Sequence, residues 1–380
     1  MNIILIDDEY LSLNFLEQLL QNMEHAQIIG KYMNPFEGKE AILQEDVDVV
    51  FLDIHLPEIN GIELAEQLLE KKPKLQIVFV TAHDDYAVQA FELNALDYLL
   101  KPFGTERLLK TWQRIMDRVK GETTEKVASI QPIQRIQINM LRQLSIEVED
   151  QQSSLLRWRT SSAQELFLYL LQHRGQLVRK SVMVDLLWPD TDSSRTYSQL
   201  YTAVYHIRKV LQRFEPHIKL QNVMDGYMLN LENALVDVDE WEKHIRALPP
   251  LSEETVDEYE KLLAAYTGDY LQEYEYWWAE SERQRLKMIW QRSSFQIAHF
   301  YLESGQADQA IGKYMEVCNR YPQAEEAHFE LMKLYAMLSN DQSVHRQYQI
   351  LTTVLEKELD EQPSQTITDW YLKWKQEKKE

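Results

Sequence analysis

The sequence predicts a multidomain chain: a doubly wound α/β domain on a five-stranded parallel sheet, an α+β module of three helices and a hairpin, and an all-α repeat domain. Three observations predict it. Apolar runs alternate with amphipathic stretches through residues 1–120, as successive β-α units require. Between 133 and 232, short alternating strands give way to three helical patterns and then a strand pair around a turn at Met224-Asp225-Gly226, where the glycine can supply a positive φ. From 233 to 380 the pattern is helical throughout, and tyrosines recur 34 residues apart, Tyr301 with Tyr335 and Tyr314 with Tyr348.

At 380 residues the chain can bury two or three separate cores. No stretch approaches ~18 consecutive apolar residues, so no membrane span is expected. The first strand runs straight into Asp7-Asp8-Glu9, with no basic segment or cleavage site before it. A single cysteine, Cys318, excludes an intramolecular disulfide and suits a reducing cytoplasm, the expected location. The net charge of −21 argues against nucleic-acid binding by the chain as a whole. It is unevenly spread: residues 133–232 carry 12 Lys/Arg against 10 Asp/Glu, and both flanks are strongly acidic. Only the middle third would not repel an acidic polymer.

In the first domain, strands are predicted at 2–6, 28–31, 47–52, 76–80 and 96–99, and helices at 11–23, 36–43, 62–69, 86–93 and 106–118. Val49-Val50-Phe51-Leu52 has no polar break and reads as a strand buried on both faces. It ends on Asp53, and the other strands end on Asp7-Asp8, Thr81 and Lys101-Pro102. In a doubly wound sheet these ends share the edge where ligands bind. Three carboxylates in one cleft repel unless a hard cation neutralises them, and all-oxygen ligation suits Mg²⁺. Asp53 then reads as a nucleophile for a phosphoryl group, with Thr81 and Lys101 to hold its oxygens. Taken alone, Asp53 reads more readily as an N-cap acid for the helix that follows, and it is its companions that favour the nucleophile.

Asp7-Asp8, Asp53, Thr81-Ala82 and Lys101-Pro102-Phe103 together resemble the receiver domain of two-component response regulators. The resemblance implies that Asp53 accepts a phosphoryl group from a sensor histidine kinase. It implies Asp8 and Asp53 as side-chain Mg²⁺ ligands, Asp7 acting through water, and the His55 backbone carbonyl completing the set. Thr81 and Lys101 would sense the phosphoryl group, and Tyr98 would be the aromatic switch. It further implies a cis peptide before Pro102. His55 and His83 stand where members of the family tune the access of hydrolytic water.

Residues 121–132 are polar and read as a linker. Alternation from Ile136 to Val148 predicts a small antiparallel sheet. Helices are predicted at 162–173, 180–187 and 195–213, then strands at 218–222 and 227–231, the layout of a winged helix. On the third helix Leu200, Val204, Ile207 and Leu211 form a buried stripe. Ser198, Thr202, Tyr205, His206, Lys209 and Arg213, with Arg195 near the start, form a face suited to the DNA major groove. An ordinary solvated face fits the same pattern. Arg179, Lys180 and Lys219 are expected to contact phosphates. Leu156-Arg157-Trp158-Arg159-Thr160, Leu186-Leu187-Trp188-Pro189 and Val204-Tyr205-His206-Ile207-Arg208-Lys209 resemble the OmpR-type winged helix of SARP-type activators. That resemblance implies double-stranded promoter DNA as a partner. The small positive charge implies pairing into a homodimer on activation.

In the last third, Ala310, Tyr314 and Pro322 follow the rhythm of tetratricopeptide repeats, which stack into a solenoid. Trp277-Trp278-Ala279-Glu280-Ser281-Glu282-Arg283, after Tyr266-Thr267-Gly268-Asp269-Tyr270-Leu271, resembles the bacterial transcriptional activation domain of SARP-type proteins. RNA polymerase is the partner that implies.

The function expected is a phosphorylation-dependent transcriptional regulator, with no catalysis beyond receiver phosphotransfer and autodephosphorylation. Two alternatives share its features. An Mg²⁺-dependent aspartyl-phosphate phosphohydrolase would use the same acids, but the Asp-x-Asp nucleophile motif is missing. A phosphorylation-switched scaffold would use the same receiver with a protein in place of DNA.

Overall fold

The computed structural model describes residues 1–82, 95–121, 135–148, 156–189 and 193–378. It divides into two compact units, Met1–Ile136 with Ile146–Ala234, and Gln137–Ser145 with Leu235–Glu380. Residues predicted as a receiver and as a winged helix share one unit, and 137–145 joins the helical third instead of its predicted module.

The first unit is built on β1 (Asn2–Ile6), β2 (Gln27–Tyr32), β3 (Val49–Leu52), β4 (Gln76–Thr81) and β5 (Asp97–Leu100). They form one sheet in the order β2-β1-β3-β4-β5, parallel throughout. Strand alternation sorts the apolar residues into two layers. Ile4, Ile6, Val50 and Leu52 face α2 (Pro35–Gln44) and α3 (Gly61–Lys71), through Ile42, Ile62, Ala65 and Leu68. Ile3, Leu5, Val49 and Phe51 face α1 (Tyr10–Leu20) and α4 (Thr105–Gly121), through Leu13, Leu16, Leu108, Trp112 and Ile115. Covered on both sides, the sheet needs the continuous apolar runs that the sequence shows. Asn34 caps α2 by accepting from the Phe36 and Glu37 amides, with Pro35 at the first helical position. The helix predicted at 86–93 lies outside the described residues, as does the 121–132 linker from 122 on.

One buried acid ties α4 to the sheet. Asp97 takes both Arg107 Nη atoms, at 2.8 and 2.7 Å, and accepts from Thr111 Oγ1 at 2.7 Å and Arg114 at 2.9 Å. Burial alone would raise this carboxyl's pKa. The hydrogen bonds from Arg107, Thr111 and the Tyr98 amide outweigh it and hold the group at about 2.

The rest of the unit comprises α5 (Ser161–Gln172), β8 (Val178–Arg179), α6 (Lys180–Leu187), α7 (Ser193–Leu211), β9 (Ile218–Val223) and β10 (Gly226–Leu231). Two short strands, β6 (Ile136–Asn139) and β7 (Ser145–Val148), precede them in the chain. Three helices and the β9–β10 hairpin match the predicted layout, with β8 as a third strand on the outer side of β10. Leu200, Val204, Ile207 and Leu211 are buried as the stripe predicts. Gly226 plays a different part from the one its turn suggests. Met224 takes the positive φ, +50°. Gly226 is needed because a Cβ there would stand 2.2 Å from the Val178 carbonyl oxygen.

The second unit holds β11 (Ala234–Val236) and α8 (Asp237–Ala247), α9 (Val256–Ala265), α10 (Glu280–Glu303), α11 (Ala307–Arg320), α12 (Glu325–Met337), α13 (Asp341–Leu359) and α14 (Gln365–Glu377). Asp237 accepts from the Met140, Leu141 and Val238 amides, which fastens residues 137–145 to the start of α8. The aromatic residues are mostly interhelical packing: Trp290, Tyr266 and Tyr314 are fully buried, and Tyr348 stacks on Tyr371 at 3.8 Å. Cys318 is buried, which pushes its thiol up to about 12 and leaves it inert. No helix among the described residues is long and apolar enough to cross a membrane.

Because the Asp97 pKa is depressed on folding, its contribution is fully present above the unfolded value near 3.8 and is lost as pH falls toward 2. Asp97→Asn is expected to cost on the order of 2 kcal/mol at pH 7. Urea melts between pH 7 and 3 check this, and the gap to wild type should narrow below about pH 4.

Candidate functional site

Strand register assembles the site. Ile6 pairs with Leu52, and the Asp53 amide donates to the Ile6 carbonyl at 2.9 Å, so Asp7 and Asp53 leave the sheet side by side. Thr81 pairs with Leu100, and the Lys101 amide donates to the Thr81 carbonyl at 2.7 Å. The Lys101-Pro102 peptide is cis, as the family resemblance implies.

Lys101 Nζ donates to Asp7 Oδ2 at 2.6 Å and to Asp53 Oδ2 at 3.1 Å. Burial opposes its charge, but the bond to Asp7 and the Asp53 carboxylate outweigh that and raise its pKa. The ammonium therefore stays protonated at any physiological pH. Asp7 also accepts from Ser12 Oγ at 2.5 Å and from the Glu9 amide at 3.0 Å. Asp53 is 6% exposed. Its Oδ1 accepts from the Ile54 and His55 amides, so only Oδ2 faces the lysine.

Asp7 and Asp53 are buried and Asp8 is exposed, and a carboxylate oxygen from each lies within 4.8 Å of the others. Three hard oxygen donors, with one acid open to solvent, fit an oxygen-seeking divalent cation that keeps several of its waters. Thr81 is fully buried at the end of β4. Tyr98 packs partly buried on the α3 side of the sheet. His55 is exposed and forms an isolated bridge with Asn60, while His83 lies outside the described residues.

Two contributors escaped the sequence reading. Ser12 left no signal beyond its place at the start of a helix. Gly61 follows Asn60 in the sequence, but its role depends on contact: a Cβ there would stand 2.0 Å from the Asp53 carbonyl oxygen.

The predicted DNA face of α7 requires correction. Ser198, Thr202 and His206 are 0%, 3% and 4% exposed, so the structure does not present them. Burial first, then the positive charges of Arg159 and Lys209, push the His206 imidazole down to about 4, so it is neutral. Tyr205 is half-buried against the layer that contains α3, together with Tyr197 and Tyr201. Lys180, expected on phosphate, is buried and pairs with Glu63 at 2.5 Å. Lys219 is half-exposed, 3.4 Å from Glu232. Lys209, Arg213 and Arg179 are exposed as predicted, and the side chain of Arg195 lies outside the described residues. A second flank of α7, that of Tyr197, Tyr201 and Tyr205, packs with the α3 layer, a cover that a helical wheel of α7 alone does not reveal.

A five-stranded parallel sheet in this order, with acids, hydroxyl and lysine at its carboxyl edge, defines a receiver-type α/β domain. A family profile described as response regulator receiver domain matches residues 3–113, and one described as bacterial transcriptional activator domain matches 236–373. A response regulatory protein of Vibrio cholerae serotype O1 is 41% identical over 184 residues, 46% of this chain and 77% of that protein. The transcriptional regulatory protein LytR of Staphylococcus aureus strain MW2 is 38% identical over 151 residues, 40% of this chain, which thus spans 60% of LytR. The response regulatory domain of protein mrkE from Klebsiella pneumoniae is 32% identical, with 32% of this chain and 99% of that one covered, and has a TM-score of 0.31. The chain belongs to the response regulators, with a receiver domain and a bacterial transcriptional activator domain.

Gly61→Ala must displace the loop between β3 and α3, because the clash is with backbone. The expected cost is about 1–3 kcal/mol in urea unfolding. Reaction of Asp53 with a small phosphodonor, followed by mass spectrometry, should slow in the same variant.

Proposed function

We propose that the protein is a phosphorylation-dependent transcriptional regulator of the cytoplasm, which takes a phosphoryl group on Asp53 from a sensor histidine kinase. The observation that carries this reading is Lys101 Nζ lying between Asp7 and Asp53, beside the one Asp53 oxygen that no backbone amide engages. That oxygen, Oδ2, attacks phosphorus; the P–N bond of the donor phosphohistidine breaks, and the departing imidazole keeps the electron pair and takes up a proton. Lys101 is already charged and in place to hold the transferred oxygens, so little reorganisation is needed. Thr81, at the end of the neighbouring strand, is placed to follow them, and Tyr98 on the same side of the sheet moves with it. A bound Mg²⁺, held by Asp8 and Asp53, by Asp7 through water and by the His55 carbonyl, would supply neutralisation of the phosphoryl charge.

The group is stored rather than turned over on small substrates. Its output runs through the module of α5, α6, α7 and the β9–β10 hairpin, read here as an OmpR-type winged helix for double-stranded promoter DNA. The activator domain provides the link to RNA polymerase, and activation brings two copies together. Phosphorylation acts by shifting two conformations already in equilibrium.

Asp53→Ala is expected to reduce labelling by acetyl phosphate or by kinase to background while the circular dichroism spectrum stays unchanged. Undiminished labelling would overturn the assignment.

A further inference from the structure

We infer that the carboxylate face of α3 is a surrogate polyanion: Glu63, Glu66 and Glu70 hold the cations of the three-helix module closed until the Asp53 site changes state. The trigger rests on the proposed role of Asp53; the clamp itself rests on contacts within the first unit.

The three acids lie at i, i+3 and i+7, along one side of α3. Lys180 pairs with Glu63 at 2.5 Å, and Tyr201 donates to the second oxygen of that carboxylate at 2.5 Å. Arg208 pairs with Glu66 and reaches Glu70 at 2.9 Å. Tyr227 donates to Glu66 at 3.3 Å. Lys180 also lies 5.3 Å from the Tyr201 ring centre, and Arg208 5.9 Å from that of Tyr227. A row of anions engaging lysine, arginine and tyrosine tips is what a phosphate backbone would present to the same groups. Such buried pairs bring little net stability, because desolvation offsets attraction, yet neither side can be left without its partner. They suit a contact that exchanges one polyanion for another.

Two further observations fit a closed state meant to open. On the same helix, Ser198 Oγ and His206 Nε2 are buried with no hydrogen-bond partner among the described residues, an orphaned state that contact with water or ligand would relieve. Moreover, α3 begins on the acceptor itself. Gly61 donates to the Ile54 carbonyl at 2.8 Å and leaves no room for a side chain against the Asp53 carbonyl. A shift at Asp53 therefore reaches α3 directly through the backbone.

The test is hydrogen exchange by mass spectrometry on the full chain, over 61–71, 178–187 and 197–211, with and without beryllofluoride and Mg²⁺. Anisotropy of a short labelled duplex of arbitrary sequence at low salt is measured alongside. Glu63→Gln with Glu70→Gln is expected to raise exchange in all three segments and tighten duplex binding by roughly tenfold without any phosphoryl mimic. Glu63→Lys should also open the contact, and adding Lys180→Glu should close it again. If the Gln pair leaves both exchange and binding at wild-type values, the clamp is overturned. If the variants open while beryllofluoride leaves wild type unchanged, the clamp stands and the Asp53 trigger falls. If exchange rises with no duplex binding in any form, the clamp stands and the DNA reading falls.

Discussion

Electrostatic repulsion among acids at the end of a buried sheet is the constraint on which the rest of the structure depends. Asp7 and Asp53 are held side by side because β1 and β3 are neighbours in register. Neither can be solvated there, so a cation must stand between them. Lys101 supplies one charge from across the sheet, and its reach depends on β5 lying next to β4 and on the backbone bond to Thr81. Everything that positions the five strands thus serves one cluster. The apolar layers on both faces make the sheet rigid enough to hold like charges at hydrogen-bonding range.

The same arrangement fixes where α3 starts. Its first residue rests on the carbonyl of Asp53, and its length carries three carboxylates toward the second half of the unit. In that half the stripe of α7 closes a core with α5, α6 and the hairpin, while its tyrosines join the receiver layer. The unit is therefore continuous from the carboxyl edge at Asp53 to α7. The second unit is held by other means: a buried acid on three amides, and stacked aromatic side chains between helices.

Legibility tracked the distance over which each feature is determined. Val49 to Leu52 reads as a doubly covered strand because four consecutive buried residues leave no polar break, and the structure places them at the centre of the sheet. Asp7, Asp53 and Lys101 were legible as a cluster since each directly follows a strand. The stripe of α7 was legible for the same local reason. Ser198, Thr202 and His206 were misread because a polar helical face looks the same whether solvent or another helix covers it. Lys180 was expected on phosphate, yet it is buried on the Glu63 carboxylate. At Gly226 the turn chemistry pointed to backbone conformation, whereas the close pass of β8 is what excludes a side chain.

By itself, then, the sequence determined the parallel sheet, the chemistry collected at its edge and the helical repeats of the last third. These depend on periodicity and on residues that end strands, both local properties. Tertiary structure alone decided that α3 packs on α7, that 137–145 clusters with the helical third and that Glu63 meets Lys180 from 117 residues away. Such pairings cost chain entropy and are chosen by the competition of whole surfaces for burial, which no window of neighbouring residues records.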